Sequence, residues 1–166
     1  MNNFVCKIPS IEEMNVKWDY EIENSKSDKN NWIIWKKEAI LNAKNGYSIP
    51  YYGILDENII CEATAMLNPN KVQNYQDLVD DKTVYLTAFR TKEEYQGKGY
   101  FSKLFKFMLD DLKKRGFTKV TLGVEPKEEK NKQIYEHYGF NEFIKSSSER
   151  YPDGTVIDVD YYGKKL

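Results

Sequence analysis

The sequence predicts an α/β protein with a mixed, mainly antiparallel central sheet and helices on both faces. Three observations carry that expectation. Strand-like and helix-like apolar periods alternate in the order β-α-α-β-β-β-α-β-α-β-β. At the middle of the series stands a strand, a long helix and a strand, the unit that joins parallel neighbours. Turn-forming trios lie on either side of it, Asp56-Glu57-Asn58 and Pro152-Asp153-Gly154, each between two strand-like runs.

Taken in order, Phe4 to Ile8 is a short apolar run and a first strand. Ser10 and Glu13 have capping-box spacing, and Ile11, Met14, Trp18 and Ile22 follow on one helical stripe. Residues 24–31 are polar and read as a loop. Trp32 to Lys44 is a second amphipathic helix, closed by Asn45-Gly46, where glycine accepts the left-handed cap. Ser48 to Leu55 and Ile59 to Leu67 form a hairpin, and a short helix is expected over Val72 to Val79. Val84 to Arg90 is a strand, and Tyr100 to Arg115 is a helix whose apolar stripe is wide enough for burial on more than one side. Lys119 to Val124 is a strand, Glu129 to Tyr138 a short helix ending at Gly139, and Phe140 to Ser146 and Thr155 to Tyr162 the last strands.

The 166 residues suit one domain, 1–166, with no internal repeat. At 40% apolar and 31% charged, this is the composition of a soluble globular chain. A net charge of -1 offers no basic field for nucleic acid. No apolar run approaches the length of a membrane span, and Met1 to Lys7 lacks a signal segment, so a cytoplasmic protein is expected. Cys6 and Cys61 lie in strand-like runs and read as free buried thiols. With a single histidine, His137, and no paired-cysteine spacing, no metal site is expected. Trp18, Trp32 and Trp35 either wall a pocket or anchor the two N-terminal helices.

The most informative stretch joins a strand to the long helix: Arg90-Thr91-Lys92-Glu93-Glu94-Tyr95-Gln96-Gly97-Lys98-Gly99-Tyr100-Phe101. Two glycines one residue apart, directly before a helix, expose backbone N–H groups where the helix dipole is positive, and Lys98 adds a full charge. That suits a pyrophosphate. A Walker loop is absent, and the dinucleotide fingerprint fails because its third glycine position is Ser102. An ordinary glycine-rich helix start remains the alternative.

Two motifs together carry a family resemblance. Gln96 to Phe101 is similar to the Gln/Arg-x-x-Gly-x-Gly/Ala pyrophosphate loop of the GNAT acetyltransferases. Asn131-Lys132-Gln133-Ile134-Tyr135-Glu136-His137-Tyr138-Gly139-Phe140 resembles that family's C-terminal signature, a short helix ending in Tyr-x-x-x-Gly-Phe. One helix and one strand separate them, as the family requires. The resemblance covers about residues 82–144 well and the N-terminal half by element order. It implies the acyl-CoA N-acyltransferase fold and acetyl-CoA as co-substrate. The backbone of Ala88, Phe89 and Thr91 would pair with the pantetheine arm. The amides of Gln96, Gly97, Lys98, Gly99, Tyr100 and Phe101, with the Ser102 hydroxyl, would hold the pyrophosphate. Tyr135 would stand near the sulfur. Two departures stand out: Phe101 replaces a small residue, and Glu128 occupies a position where asparagine is often found, so that Asn131 is either the substitute contact or a solvated side chain.

The chemistry expected is direct attack of an amine on the thioester. Tyr135 would protonate the leaving thiolate, their unperturbed pKa values being about 10 and about 8.5. An N–H of the Leu86 to Arg90 strand would polarise the carbonyl. Alternatively Tyr135 is a core tyrosine. Glu62, inside an apolar strand, is a candidate base or cation-binding group, or a side chain on a solvated face; Glu125 is a second candidate, and His137 reads as a surface residue. The acceptor is open among small amines, amino acids, aminoglycoside-like compounds and protein amines, with a small molecule placed first. A non-catalytic acyl-CoA sensor on the same fold is the competing reading, and a partner-binding domain a third. The Val156 to Tyr162 strand is available for a homodimer contact.

Overall fold

The structure, a computed structural model, describes residues 3–26 and 28–166. Met1, Asn2 and Ser27, which the readings of the N-terminus and of the 24–31 loop include, lie outside the described residues. Among the described residues the elements are β1 (Phe4–Lys7), α1 (Ile11–Asn24), α2 (Lys29–Lys44), β2 (Ser48–Leu55), β3 (Asn58–Met66), β4 (Thr83–Thr91), α3 (Tyr100–Lys114), β5 (Lys119–Val124), α4 (Glu129–His137), β6 (Glu142–Arg150) and β7 (Val156–Lys165). The seven strands make one mixed sheet in the order β1-β2-β3-β4-β5-β7-β6. The β4–β5 pair is parallel, and the β1–β2, β5–β7 and β6–β7 pairs are antiparallel.

The chain forms two compact units, Met1–Thr64 with Ala88–Asp111, and Ala65–Thr87 with Leu112–Leu166. In the first unit, Ser10 and Glu13 form the capping box in both directions, at 3.1 and 2.9 Å. α2 starts three residues before Trp32, because the Asp28 carboxylate caps it by accepting from the Asn30 N–H. Asp56 and Glu57 both have positive φ, 47° and 71°, which matches the twist of the β2–β3 hairpin. Successive strand residues face opposite sides, and Tyr51 and Tyr52 divide the helices accordingly. Tyr52 is buried with Met14 and Trp18 beneath α1 and α2. Tyr51 donates to Asp111 of α3 at 2.6 Å and meets Phe107 edge-on. The helices therefore cover both faces of this part of the sheet. On the α3 face, Gly53 leaves room for Cys61 and Phe4, whose atoms would lie 2.4 and 2.8 Å from an added Cβ.

In the second unit the expected helix over Val72 to Val79 does not form. A single 3-10 turn, Pro69–Lys71, precedes an irregular loop in which Asn74 and Asp77 have φ of 57° and 69°. Long-range bonds hold that loop: Gln73 exchanges two hydrogen bonds with the Arg150 backbone, and Lys145 donates to the Asn74 and Gln76 carbonyls. Leu78 and Val79 are buried against Val159 and Tyr161. The β7 strand lies between β5 and β6: residues 160–165 pair with β5, residues 156–163 pair with β6, and β6 is the terminal strand. Both cysteines are free, Cys61 buried and Cys6 partly so. No helix among the described residues is long and apolar enough to cross a membrane.

Candidate active site

The strand that leads into the glycine loop changes character halfway. The β4 register with β5 runs from Thr83↔Lys119 to Leu86↔Leu122, while β4 itself continues to Thr91. Two residues past the end of that register, Ala88 sits at φ 59°, a left-handed conformation costing about 1–2 kcal/mol for a residue with a Cβ. The left-handed residue interrupts the extended backbone of β4 just before Phe89, Arg90 and Thr91. Phe89 is edge-on to Phe101 at 5.6 Å and to Phe105 at 6.4 Å. The bulky residue at position 101 thus packs on the strand that precedes the loop.

A 3-10 turn at Glu93–Tyr95 brings the chain to Gln96. The Gln96 N–H donates to the Glu93 carbonyl at 3.2 Å, and its side-chain amide donates to the Thr91 carbonyl at 3.0 Å. The expected role of the Gln96 amide as a phosphate donor is therefore replaced by a clasp: the residue ties the two ends of the loop together. Gly97 and Gly99 take φ of 73° and 84°, and a Cβ on either would meet nothing within 4 Å. Glycine is needed there for conformation, not for room. Lys98 and Ser102 are exposed at the start of α3, and Tyr100 is held by Phe4 and Tyr95, at 4.9 and 6.2 Å between centroids. The first-turn amides of α3 open to this exposed loop, an arrangement that binds anions.

Tyr135 lies in the second unit, on α4. It lines a small concavity with Val124, Lys132, Glu136, Phe140 and Tyr162. Burial, and then the negative charge of Glu128, push its pKa up to about 12. It therefore keeps its proton at neutral pH. Asn131 donates to Glu128 at 2.5 Å, so the asparagine and the glutamate are joined and Asn131 is not merely solvated. Burial, and then a hydrogen bond that the protonated carboxyl donates to Glu128, also raise Glu125 above its usual range. His137 is exposed beside Tyr138.

Glu62 is 1% exposed, which removes the reading of a solvated strand face. Its Oε2 lies 3.1 Å from Arg90 Nη1 and 3.6 Å from Lys17 Nζ. Lys17, also 1% exposed, pairs with Glu21 at 2.5 Å. The Arg90 guanidinium rests on Trp18 and Trp32, 5.1 and 4.7 Å from their ring centroids. Trp18, Trp32 and Trp35 all belong to the α1–α2 core, so they anchor these helices, and two of them also support a charge. Reasoning from the sequence passed over Arg90, Lys17 and Lys92. The available signal was the alternation along β4, which places Arg90 and Lys92 on one face. Among the described residues no group of three or more His, Cys, Asp or Glu is placed to hold a metal ion.

This fold is that of an acyltransferase. The chain belongs to the acetyltransferase (GNAT) family, which it matches over residues 10–140. No curated protein matches it. Among solved structures it is similar to a probable acetyltransferase from Staphylococcus epidermidis, with TM-score 0.72, 12% identity, and 100% of this chain and 99% of that one covered. It is also similar to a ribosomal-protein-alanine N-acetyltransferase from Brucella melitensis, with TM-score 0.67, 12% identity and coverage of 98% and 99%. A ribosomal L7/L12 α-N-protein acetyltransferase, solved in complex with coenzyme A, aligns with TM-score 0.69, 11% identity and coverage of 98% and 94%. Likeness at these identities concerns the fold.

Proposed function

We propose that the chain, acting as a single domain, transfers the acetyl group of acetyl-CoA to a primary amine by direct attack. The observation that carries this reading is the loop Gly97-Lys98-Gly99. Its two positive-φ glycines and the start of α3 leave an exposed set of amides, held in place by the Gln96 clasp. Gly97, Lys98, Gly99, Tyr100, Phe101 and Ser102 hold the pyrophosphate, and Ala88, Phe89 and Thr91 lie along the pantetheine arm. The coenzyme A complex of a protein with the same fold supports this choice.

The amine nitrogen attacks the thioester carbon, the C–S bond breaks, and the sulfur takes the Tyr135 proton. A phenol raised to about 12 is a weak donor for a thiolate near about 8.5, so it releases its proton only as C–S cleavage builds charge on sulfur. The proton released by the attacking nitrogen goes to a base. Glu125, with its raised carboxyl, suits that task better than Glu62, which is held between two cations. Glu62 then serves to position Arg90.

Thermal melting with saturating acetyl-CoA, with NAD and ATP as controls, tests the cofactor. At about 100 times the dissociation constant, binding adds roughly 2.7 kcal/mol, a rise on the order of 5–10 °C. Thiol release on addition of amines then separates an enzyme from a sensor. A folded sample with no acetyl-CoA shift overturns the proposal.

A further inference from the structure

Arg90 and Lys92 stand two residues apart on β4 and its continuation, where the Lys92 N–H still bonds to the Ile60 carbonyl at 2.9 Å. Side chains two apart on a strand share a face. On that face α1 and α2 present aromatic rings: Trp18 and Trp32 under Arg90, and Tyr20 under Lys92, whose Nζ is 4.1 Å from the ring centroid. Each cation is thus laid flat on an aromatic surface and kept from swinging free.

The charges on this face do not cancel. Lys17, Arg90 and Lys92 are three cations, and Glu21 and Glu62 are two anions, which leaves one positive charge in excess. Among the described residues Lys92 makes no ion pair. Hydrogen bonding is incomplete as well. Tyr52 Oη is buried with no hydrogen-bond partner, while the buried Glu62 Oε2 and Arg90 Nη1 meet each other as an ion pair at 3.1 Å; Tyr52 and Glu62 are each 1% exposed. A buried polar atom without a partner is uncommon, and Tyr52 Oη lies next to this ion pair. The Arg90 side chain nevertheless retains 23% of its exposure, so the edge of the guanidinium turned away from Glu62 is within reach of a ligand.

We propose that this face binds the carboxylate of the acceptor, so that the preferred acceptors are amino-carboxylates: amino acids or short peptides with a free acid group. This rests on the reading of Ala88 to Thr91 as the acyl-arm segment, since Arg90 lies inside it and a group held there is brought beside the acyl chain. The planar guanidinium fork matches a carboxylate, and Lys92 adds a point charge. A single excess positive charge balances a monoanion; a phosphate dianion would leave unbalanced negative charge next to Glu62. Arg90 and Lys92 are then specificity-determining residues, while the partly exposed Trp32 and Tyr20 flank the acceptor's carbon skeleton.

The test compares matched pairs of acceptors, each acid against its amide: glycine, alanine, phenylalanine, β-alanine and alanylalanine. N-acetyl derivatives of the same pairs are used as binding probes in calorimetry, with coenzyme A present. The acids and their N-acetyl forms are expected to be favoured over the amides by about ten- to a hundredfold. Lys92→Gln and Arg90→Lys are expected to erase that preference by raising KM for the acids, with kcat changed by no more than about twofold and the acetyl-CoA thermal shift retained. Equal use of acid and amide, or no binding by any acid probe, overturns the inference. Retention of the acetyl-CoA shift in that case leaves the transferase reading intact, whereas loss of the shift in the unsubstituted protein defeats that reading separately.

Discussion

The Glu62 carboxylate and the Arg90 guanidinium meet at 3.1 Å, with the glutamate side chain 2% exposed and the arginine lying over two tryptophans. This contact joins β3 to the part of β4 beyond Ala88. Removing one partner of a buried ion pair leaves the other uncompensated. Glu62→Gln is expected to destabilise the protein by on the order of 3 kcal/mol in urea unfolding. Its pH–rate profile should keep its shape, because Glu62 is not assigned to accept a proton. Loss of the acidic limb of that profile with stability unchanged would instead make Glu62 the base.

The glycines separate into two kinds. At Gly53 the obstacle is steric: an added Cβ would lie 2.4 Å from Cys61 Sγ and 2.8 Å from the Phe4 ring. Gly53→Ala should cost about 1–3 kcal/mol by overpacking and leave acetyl-CoA affinity unchanged. At Gly99 the surrounding space is open and the obstacle is φ 84°. Gly99→Ala should cost about 1–2 kcal/mol and weaken acetyl-CoA binding, because the strained residue sits within the loop. Urea unfolding and calorimetry on both variants measure the difference.

The Gln96 clasp predicts a smaller effect. Gln96→Ala removes one hydrogen bond to the Thr91 carbonyl, worth about 1 kcal/mol. Acetyl-CoA affinity should fall about fivefold, with kcat retained at saturation. An unchanged dissociation constant would show that the loop holds its shape without the side chain.

The sequence could show these loop glycines because φ > 0 has a strong residue preference, and it could show the capping box and the hairpin because their partners are three residues apart or adjacent. Contacts made over long separations left no such trace. Val72 to Val79 has helix-like apolar spacing, yet it is held as a loop by Lys145, Ser148 and Arg150, more than 65 residues further on. The burial of Glu62 depends on Lys17 and Arg90, one on a helix 45 residues earlier and the other on a neighbouring strand. The start of α2 was hidden for a local reason: Asp28 to Asn31 is polar enough to pass for loop, although Asp28 is a cap and Asn31 is buried.

Tyr135 offers the clearest kinetic test. Tyr135→Phe keeps the ring and removes the proton. Thermal shift with acetyl-CoA should be preserved, and kcat should fall on the order of a hundredfold. An unchanged rate with a good acceptor would return Tyr135 to a packing role.

Alkaline pH should unfold the protein, and the sign follows from the tyrosines. Burial raises Tyr135 to about 12 and pushes Tyr52, Tyr85 and Tyr161 well above a free phenol; it also raises the Cys61 thiol to about 12. These groups lose protons more easily in the unfolded chain. Between the unfolded and folded values the native state holds more protons, so stability falls as pH rises. Their contribution is fully present below about pH 8 and is lost from about pH 9 to 10 upward, first through Cys61 and then through the phenols. Each group that titrates fully in this window contributes a slope of up to about 1.4 kcal/mol per pH unit. Urea midpoints at pH 8 and pH 10.5 measure the fall. Tyr161→Phe, which gives up its bond to Glu149 but removes one titrating group, should lower the midpoint at pH 8 and make the drop between the two pH values shallower. A midpoint independent of pH across that range would mean that the phenols reach solvent in the native state.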